Sequence, residues 1–303
     1  MTKFLQLIRF PNLIMIALTQ YLFKCYLINP YANHSTNAFT FFCLVLATVC
    51  IAAGGNIIND IYDVKTDRIN KLHKVFIDTF ITKKNAFLLY FVFTFVGIGL
   101  GCYASFYSKL ENSILFIVIA FLLFLYSKYL KKIALIGNIV VSLLVASSIF
   151  ILIPFDLIVF TKDNLFRNEL IIAALILYAS FAFLINLIRE LVKDNEDVNG
   201  DYNANMKTLS IVLGRNRVNK IVAVLVGFLL VFILYIISEY LQDKTIATIY
   251  ALFTLLLPLL YFIVKIWQAD TKHEYRMLSF LLKLIMLFGI LSAVVFYYFD
   301  PLF

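Results

Sequence analysis

Two sets of three aspartates with identical spacing are the residues of this sequence best suited to chemistry. Asp194 follows Asp60 by 134 residues, and the other two members of each set repeat the same offset. The first cluster is Asp60, Asp63 and Asp67, and the second is Asp194, Asp197 and Asp201. On a helix, positions i, i+3 and i+7 share one face. The matched spacing therefore predicts two pseudo-equivalent halves whose acidic faces oppose each other.

Carboxylates stacked in this way predict a metal site. Neighbouring members of a cluster lie about 6 Å apart on a helix face, and like charges at that distance are unfavourable unless cations lie between them. Oxygen ligands offered one carboxylate at a time suit Mg²⁺, which keeps several waters and completes its shell with phosphate oxygens. Asn59, one turn before Asp63, adds a neutral oxygen ligand or a phosphate donor. For any one aspartate, the alternative is a solvated helix end.

The elements that position these clusters are predicted to lie in a membrane. The sequence is 63% hydrophobic and 15% charged, which is too apolar for one soluble core. Glycine and proline are scarce, at 10 and 5 residues, which favours long helices over barrel strands joined by turns. We therefore expect an all-α, polytopic membrane protein whose helices surround a central cavity.

Nine apolar windows have the length of about 17 to 25 residues that crosses a bilayer. They form one integral-membrane domain, predicted to cover residues 1–303. The windows lie at about 11–29, 37–59, 86–107, 112–128, 134–155, 168–188, 219–239, 246–267 and 277–299.

Basic residues predict the orientation of the chain. Most lysines and arginines lie in the N-terminus and in the loops on the same side of the membrane, which include the loops after the acidic clusters. Short loops rich in these residues stay cytoplasmic. The opposite loops hold Lys109, Lys162, Arg167 and Lys244. We expect a multi-pass protein of an inner or plasma membrane, with its N-terminus and active-site loops in the cytoplasm. The net charge of +8 is dispersed over these loops, which indicates contact with anionic membrane lipid and no nucleic-acid partner.

Several motifs of the sequence resemble those of the UbiA superfamily of membrane prenyltransferases. The run N-D-x-x-D-x-x-x-D covers residues 59–67, and R-E-x-x-K-D-x-E-D-x-x-G-D covers residues 189–201. The second run is similar to the branch that acts on geranylgeranylglycerol phosphate. Further agreement comes from R-F-P-N at residues 9–12 and from Y-S-x-x-L-K-K at residues 126–132, followed by Gly137 and Asn138.

The resemblance implies a Mg²⁺-dependent transfer of an isoprenyl group from an isoprenoid diphosphate donor to a hydrophobic or amphipathic acceptor. The acceptor is a lipid of the glycerol phosphate type, slightly favoured, or an aromatic ring of a quinone pathway. The aspartates of both clusters become metal ligands. The residues expected at the diphosphate are Asn12, Asn59, Lys74, Tyr126, Lys131, Arg189 and Lys193.

One loop departs from the family pattern and leaves alternatives open. After D-R-I-N, the family usually continues R-P-x-R-P-x-P-S-G, whereas this chain has K-L-H-K-V-F-I-D-T at residues 71–79. A catalytically altered family member is therefore one alternative. A transporter or channel is another, because Lys24 and Lys283 lie inside predicted spans and intramembrane charges are functional candidates. We interpret both lysines as reaching toward an interface along their alkyl chains.

Overall fold

The computed structural model describes residues 2–31, 36–70, 75–156 and 165–299. These residues form helices and connecting turns, and no strand occurs among them beyond isolated bridges. The predicted all-α class is confirmed. The α-helices are α1 (Thr2–Leu7), α2 (Phe10–Phe23), α3 (Ala38–Asn70), α4 (Lys83–Phe106), α5 (Ser113–Lys128), α6 (Ile136–Phe150), α7 (Leu152–Asp156), α8 (Leu165–Asn203), α9 (Leu209–Leu213), α10 (Arg215–Tyr240), α11 (Thr245–Ala251), α12 (Leu257–Gln268) and α13 (Lys272–Phe299).

Within the described ranges, nine helical segments are long and apolar enough to cross a bilayer, as predicted. Two of these spans contain a π-helical turn, which continues α2 to Ile28 in one and joins α11 to α12 in the other. Outward-facing aromatic side chains cover the surface of the bundle, as Phe95 and Phe106 of α4 illustrate. Such a surface requires lipid around it, and the protein is an integral, multi-pass membrane protein.

Two helices, α3 and α8, extend well beyond the apolar windows predicted for them. The windows end at about 59 and 188, whereas the helices continue to Asn70 and Asn203. Charged residues end the windows, but part of each extension stays buried: Ile61 and Thr66 in α3, and Leu191, Val192 and Asn195 in α8. Burial of one side against neighbouring helices stabilises a helix even where its mean hydropathy is low. Both acidic clusters lie on these extensions.

The packing places α3 and α8 at the centre of two groups of helices. Helix α3 packs along α4 and against α5, while α8 packs between α6 and α13 and also contacts α10. A buried core of α8, α10, α12 and α13 forms one group, and α3 to α6 contribute to the other cores. Because α3 also contacts α8, the two acidic helix ends meet.

Lys24 and Lys283 both have acceptors within the protein, and the interpretation that they reach toward an interface stays a prediction. Lys24 is 4% exposed and forms a buried ion pair with Asp156, whose Oδ1 also accepts hydrogen bonds from Thr36. Lys283 is directed into the bundle, where Nζ donates to Oδ1 of Asn12 at 2.8 Å. The alkyl chains are long enough to reach an interface, but inward-facing acceptors compete with that arrangement.

Candidate active site

A cavity of about 950 Å³ lies between α2, α3, α5, α6 and α8, with both acidic clusters at one end. All six aspartates line it. Of the other predicted site residues, those in the described part of the chain also line the cavity, while Lys74 lies outside the described residues. These lining residues are Asn12, Asn59, Tyr126, Lys131, Arg189 and Lys193.

Basic side chains already contact the first cluster. The Arg9 guanidinium donates to Asp60 Oδ1 at 2.9 Å, and Lys131 is ion-paired with Asp63. Asn59 reinforces this arrangement, because its amide donates to Asp63 Oδ2 at 2.7 Å and its carbonyl accepts from Lys131 at 3.2 Å. Burial lowers the pKa of Arg9, but the carboxylates of Asp60 and Asp63 outweigh that effect, so the pKa is raised and Arg9 stays cationic.

The second cluster is surrounded by a different set of partners. Asn138 donates to Asp194 Oδ2 at 2.9 Å. Glu190, which was not among the predicted site residues, accepts from Arg189 at 3.0 Å and from Lys193 at 2.9 Å. The sequence could have indicated Glu190 as a site residue, because the R-E-x-x-K-D run places it beside two basic residues on one helix. Arg189 keeps its Nε buried without a hydrogen-bond partner among the described residues.

The turn that carries Lys131 is held in place by close backbone contacts. A Cβ atom on Gly137 would lie 2.7 Å from Cα of Lys131, so the absence of a side chain permits this approach. The turn is also tied to the segment after α8, because the Lys207 amide donates to the Lys132 carbonyl at 3.0 Å. Leu135, two residues before Gly137, has a φ of 65°, a strained conformation for a branched side chain. Backbone strain therefore accompanies the positioning of Lys131.

The charges around the cavity favour a bound cation. Seven carboxylates line it, the six aspartates and Glu190, whereas Arg9, Lys131, Arg189 and Lys193 are the basic residues among the described lining. No three acidic, histidine or cysteine side chains in the described ranges lie close enough to hold a metal ion by themselves. The donor set nevertheless fits Mg²⁺, which takes one or two carboxylates together with water and phosphate oxygens. A complete coordination shell for Mg²⁺ at this site therefore needs phosphate oxygens as additional ligands.

The other end of the cavity is lined mostly by apolar side chains, among them Phe116, Ile119, Leu144 and Ile151. Thr48, Ser147 and Ser148 are the hydroxyl side chains that also line this end. Phe116 lies ten residues from Tyr126 on α5, which places it about 15 Å further along the helix axis. The site thus joins a charged end to a deep, mostly apolar arm, which suits a ligand with an anionic head and an apolar tail.

Comparison with known proteins identifies relatives of this chain. A family model described as the UbiA prenyltransferase family matches residues 22–299. A digeranylgeranylglyceryl phosphate synthase of Saccharolobus solfataricus is 37% identical over 181 residues, which cover 60% of this chain and 59% of that protein. The synthase of Methanosphaera stadtmanae is 29% identical over 255 residues, which cover 82% of this chain and 86% of its own. The match to the first relative thus spans less than two thirds of its length.

Solved structures share the fold. A digeranylgeranylglyceryl phosphate synthase structure has a TM-score of 0.66 at 22% identity, covering 97% of both chains. A UbiA homologue from Archaeoglobus fulgidus, bound to DMAPP and Mg²⁺, has a TM-score of 0.63 at 16% identity, covering 97% of this chain and 99% of its own. The predicted all-α fold with nine candidate spans is confirmed for the described residues, and the cavity lies between five of the helices.

Proposed function

The chain belongs to the UbiA prenyltransferase family, and we propose that it transfers a prenyl group from an isoprenoid diphosphate to a lipid acceptor with Mg²⁺. One observation carries this proposal. Six aspartates line one end of a cavity of about 950 Å³, and the other end is lined mostly by apolar side chains. A diphosphate head and a prenyl tail match these two ends.

The aspartates of both clusters would hold Mg²⁺, which supplies positive charge to the departing diphosphate. Lys131 and Arg189 supply hydrogen-bond donors for the phosphate oxygens. Lys131 exchanges its contact with Asp63 for one with the ligand. Nε of Arg189 has no hydrogen-bond partner among the described residues, so it loses no contact when it turns to the ligand. Asn59 contacts both Lys131 and Asp63, so it guides this exchange. Tyr126 and Lys193 complete the lining around the head group.

The apolar arm orders the tail and keeps water from the reacting carbon. The bond between C1 of the prenyl chain and the diphosphate oxygen breaks, and both electrons leave with the diphosphate. A hydroxyl oxygen of the acceptor then forms an ether bond to C1 and releases its proton, which the departing diphosphate can accept. Exclusion of water matters because water would otherwise capture the allylic cation.

The acceptor is proposed from the relatives. The synthases named above make digeranylgeranylglyceryl phosphate according to their names. Removing one geranylgeranyl ether from that product leaves geranylgeranylglyceryl phosphate as acceptor and geranylgeranyl diphosphate as donor. The matching motifs at residues 189–201 support the same assignment for this chain. An aromatic acceptor is the alternative, and the product mass distinguishes the two.

The membrane arrangement completes the proposal. Lys131 and both acidic helix ends meet on one face of the bundle, and the basic loops follow on that face. The positive-inside bias supports a cytoplasmic location of this face, in a cell membrane such as the inner or plasma membrane. Residues 1–303 are proposed to form one domain around this site.

The test measures diphosphate release and product mass from geranylgeranyl diphosphate, Mg²⁺ and geranylgeranylglyceryl phosphate, with the purified protein in nanodiscs. We expect Asp63→Ala and Asp197→Ala each to lower turnover at least about 100-fold. Mutation of groups that only orient metal ligands already lowers metal affinity or activity about 10- to 100-fold. Asp243→Ala is the matched control, since this exposed aspartate lies between α10 and α11. Wild-type turnover in both cluster variants would falsify the proposal.

A further inference from the structure

The hydroxyl group of Thr208 is buried at the wall of the cavity and has no hydrogen-bond partner among the described residues. Thr208 lines the cavity, and only 5% of the residue is exposed. A hydroxyl buried without a partner costs free energy, so most buried hydroxyls in proteins are hydrogen-bonded. The partner that the protein does not supply is therefore to be sought in the cavity.

The local backbone explains why the protein leaves this hydroxyl unpaired. Ser147 and Ser148, which also line the cavity, lie inside α6 and donate to carbonyl groups three residues earlier, each at 2.7 Å. Thr208 lies just before α9, where its extended backbone (ψ 161°) offers no helical carbonyl behind it. Its side chain also does not cap α9. The hydroxyl is thus available to a ligand.

Backbone contacts beside Thr208 place it between the elements that carry the two acidic clusters. The Lys207 amide donates to the Lys132 carbonyl at 3.0 Å, in the turn that also supplies the lysine paired with the first cluster. The Met206 amide donates to the Asp201 carbonyl of the second cluster at 3.0 Å. Thr208 follows these two residues directly, so it lies at the charged end of the cavity.

A buried chain of hydrogen bonds fixes the segment that follows Thr208. Ser210 Oγ donates to Asn195 Oδ1 at 2.6 Å, and Asn195 Nδ2 donates to Asn219 Oδ1 at 2.8 Å. These three side chains belong to residues that are at most 3% exposed. Because Asn195 lies within the second acidic cluster on α8, Thr208 is held in a fixed position relative to those aspartates. A donor fixed in advance loses little entropy when a ligand binds.

We propose that the Thr208 hydroxyl donates a hydrogen bond to a phosphate oxygen of the isoprenoid diphosphate, and that Thr208 is a binding residue for the prenyl donor. The assignment rests on the proposed function and adds a residue to it. The proposed function puts the diphosphate at the charged end of the cavity and the prenyl tail at the other end. Hydrogen bonds to an ionised acceptor are about twice as strong as those between neutral groups, so a single hydroxyl here contributes measurably to binding.

The kinetic test compares Thr208→Val with Thr208→Ser. Valine keeps the branched shape and suits an extended backbone but lacks the hydroxyl, which serine retains. Loss of a hydrogen bond to a charged group should raise KM for geranylgeranyl diphosphate about 10- to 100-fold in Thr208→Val. KM for geranylgeranylglyceryl phosphate should stay close to that of wild type, and Thr208→Ser should recover most of the loss. A rise in the acceptor KM alone would overturn the assignment to the donor.

Thr40→Val is the matched control. Thr40 is 1% exposed, and its Oγ1 also has no partner among the described residues, but it lies outside the cavity lining. It precedes Asp60 by twenty residues on α3, which is about 30 Å along the helix axis. Both valine variants remove an unpaired hydroxyl, so neither should lower the Tm of the ligand-free protein. A lower Tm in Thr208→Val alone would mean that the hydroxyl serves the fold, against the proposal.

A binding test without acceptor separates this hydrogen bond from the reaction. The rise in Tm produced by Mg²⁺ and geranylgeranyl thiodiphosphate, whose carbon–sulfur bond resists cleavage, is measured for wild type, Thr208→Val and Thr208→Ala. We expect a smaller rise in both variants. If this result holds while wild type transfers no prenyl group, the hydrogen bond stands and the proposed function fails. If wild type turns over and both variants keep the wild-type rise in Tm and donor KM, the assignment of Thr208 fails alone.

Discussion

The Asn70 side chain binds the backbone of Gly200 and so joins the ends of the two acidic helices. Its Oδ1 accepts from the Gly200 amide at 3.0 Å, and its Nδ2 donates to the Asp197 carbonyl at 2.8 Å. Lys272 donates to the Asn70 carbonyl at 2.7 Å and holds the end of α3. One amide thus helps to set the distance between the two clusters of aspartates.

Gly200→Ala should disturb this contact. A Cβ atom at Gly200 would lie 2.3 Å from Nδ2 of Asn70, so the amide must leave its hydrogen bonds. We expect the Mg²⁺ concentration for half-maximal activity to rise about tenfold, the usual scale for groups that orient metal ligands. Stability should change little, because two hydrogen bonds of about 1 kcal/mol each are partly offset by about 1 kcal/mol of helix propensity gained by alanine.

Gly227→Ala is the matched control for this substitution. Gly227 also lies within a long helix, α10, and an added Cβ meets no atom within 4 Å. This variant should keep the Mg²⁺ dependence of wild type. An unchanged Mg²⁺ dependence in Gly200→Ala, measured beside it by titration of activity, would show that Asn70 does not position the clusters.

Lys131→Met should strengthen the binding of Mg²⁺ in the absence of donor while it impairs catalysis. Lys131 competes with metal for Asp63, and its side chain is 8% exposed. Removing the cation leaves a carboxylate that a metal ion can neutralise, because opposite charges stabilise the ionised form. Thermal unfolding with and without Mg²⁺ should therefore show a larger stabilisation in the variant, and turnover should fall because the diphosphate loses a donor.

Lys131→Arg serves as the control that retains the charge. It should resemble wild type in its Mg²⁺-dependent shift of Tm, although the planar guanidinium contacts Asp63 with a different geometry from that of the ammonium group. A smaller Mg²⁺ stabilisation in Lys131→Met than in wild type would contradict the competition between lysine and metal.

The buried pair of Lys24 and Asp156 should govern stability and leave the chemistry intact. Lys24→Met leaves an uncompensated charge on Asp156, which is 3% exposed, and such a change costs about 3–5 kcal/mol. We expect a markedly lower Tm in detergent but a normal KM for donor at low temperature. Lys24 lies fourteen residues after Phe10, about 21 Å along the helix from the acidic end.

The double variant Lys24→Met/Asp156→Asn provides the comparison for that prediction. It removes both charges, so its Tm should exceed that of Lys24→Met, because the desolvation cost of a lone carboxylate disappears. A double variant no more stable than the single one would mean that the pair does not act through its charges.

Phe116 should limit the length of the prenyl donor. It is fully buried at the apolar end of the cavity, with its ring edge-on to Phe155 at 5.8 Å. Phe116→Leu should favour geranylfarnesyl over geranylgeranyl diphosphate by about tenfold or more, since one or two methylenes in an apolar pocket carry that discrimination. The ratio of kcat/KM values for farnesyl, geranylgeranyl and geranylfarnesyl diphosphates measures the change.

Gly101→Ala should shift the same preference in the opposite direction. A Cβ atom there would lie 2.4 Å from the Phe116 ring and must displace it. Displacement toward the cavity shortens the apolar arm and favours farnesyl diphosphate. If both variants keep the wild-type ratio of donors, another residue forms the end of the arm.

Local patterns in the sequence were sufficient for several features of this protein. The apolar windows predicted the number of spans, because a bilayer demands a minimum length of apolar helix. The i, i+3, i+7 spacing predicted that each acidic cluster shares a helix face, because helical periodicity is local. The roles of individual site residues stay predictions, while their convergence on one cavity is observed.

Tertiary structure alone decided how these parts are joined. Asn70 meets Gly200 across 130 residues, and Lys24 meets Asp156 across 132, and no periodicity in the sequence marks either pair. The apolar windows predicted the membrane-crossing parts of α3 and α8, but not where the helices end, because partial burial of the polar extensions is not measured by mean hydropathy. The pairing of Lys131 with Asp63 and of Lys283 with Asn12 likewise depends on which helices pack together, since a long cationic side chain reaches whichever acceptor the fold brings near.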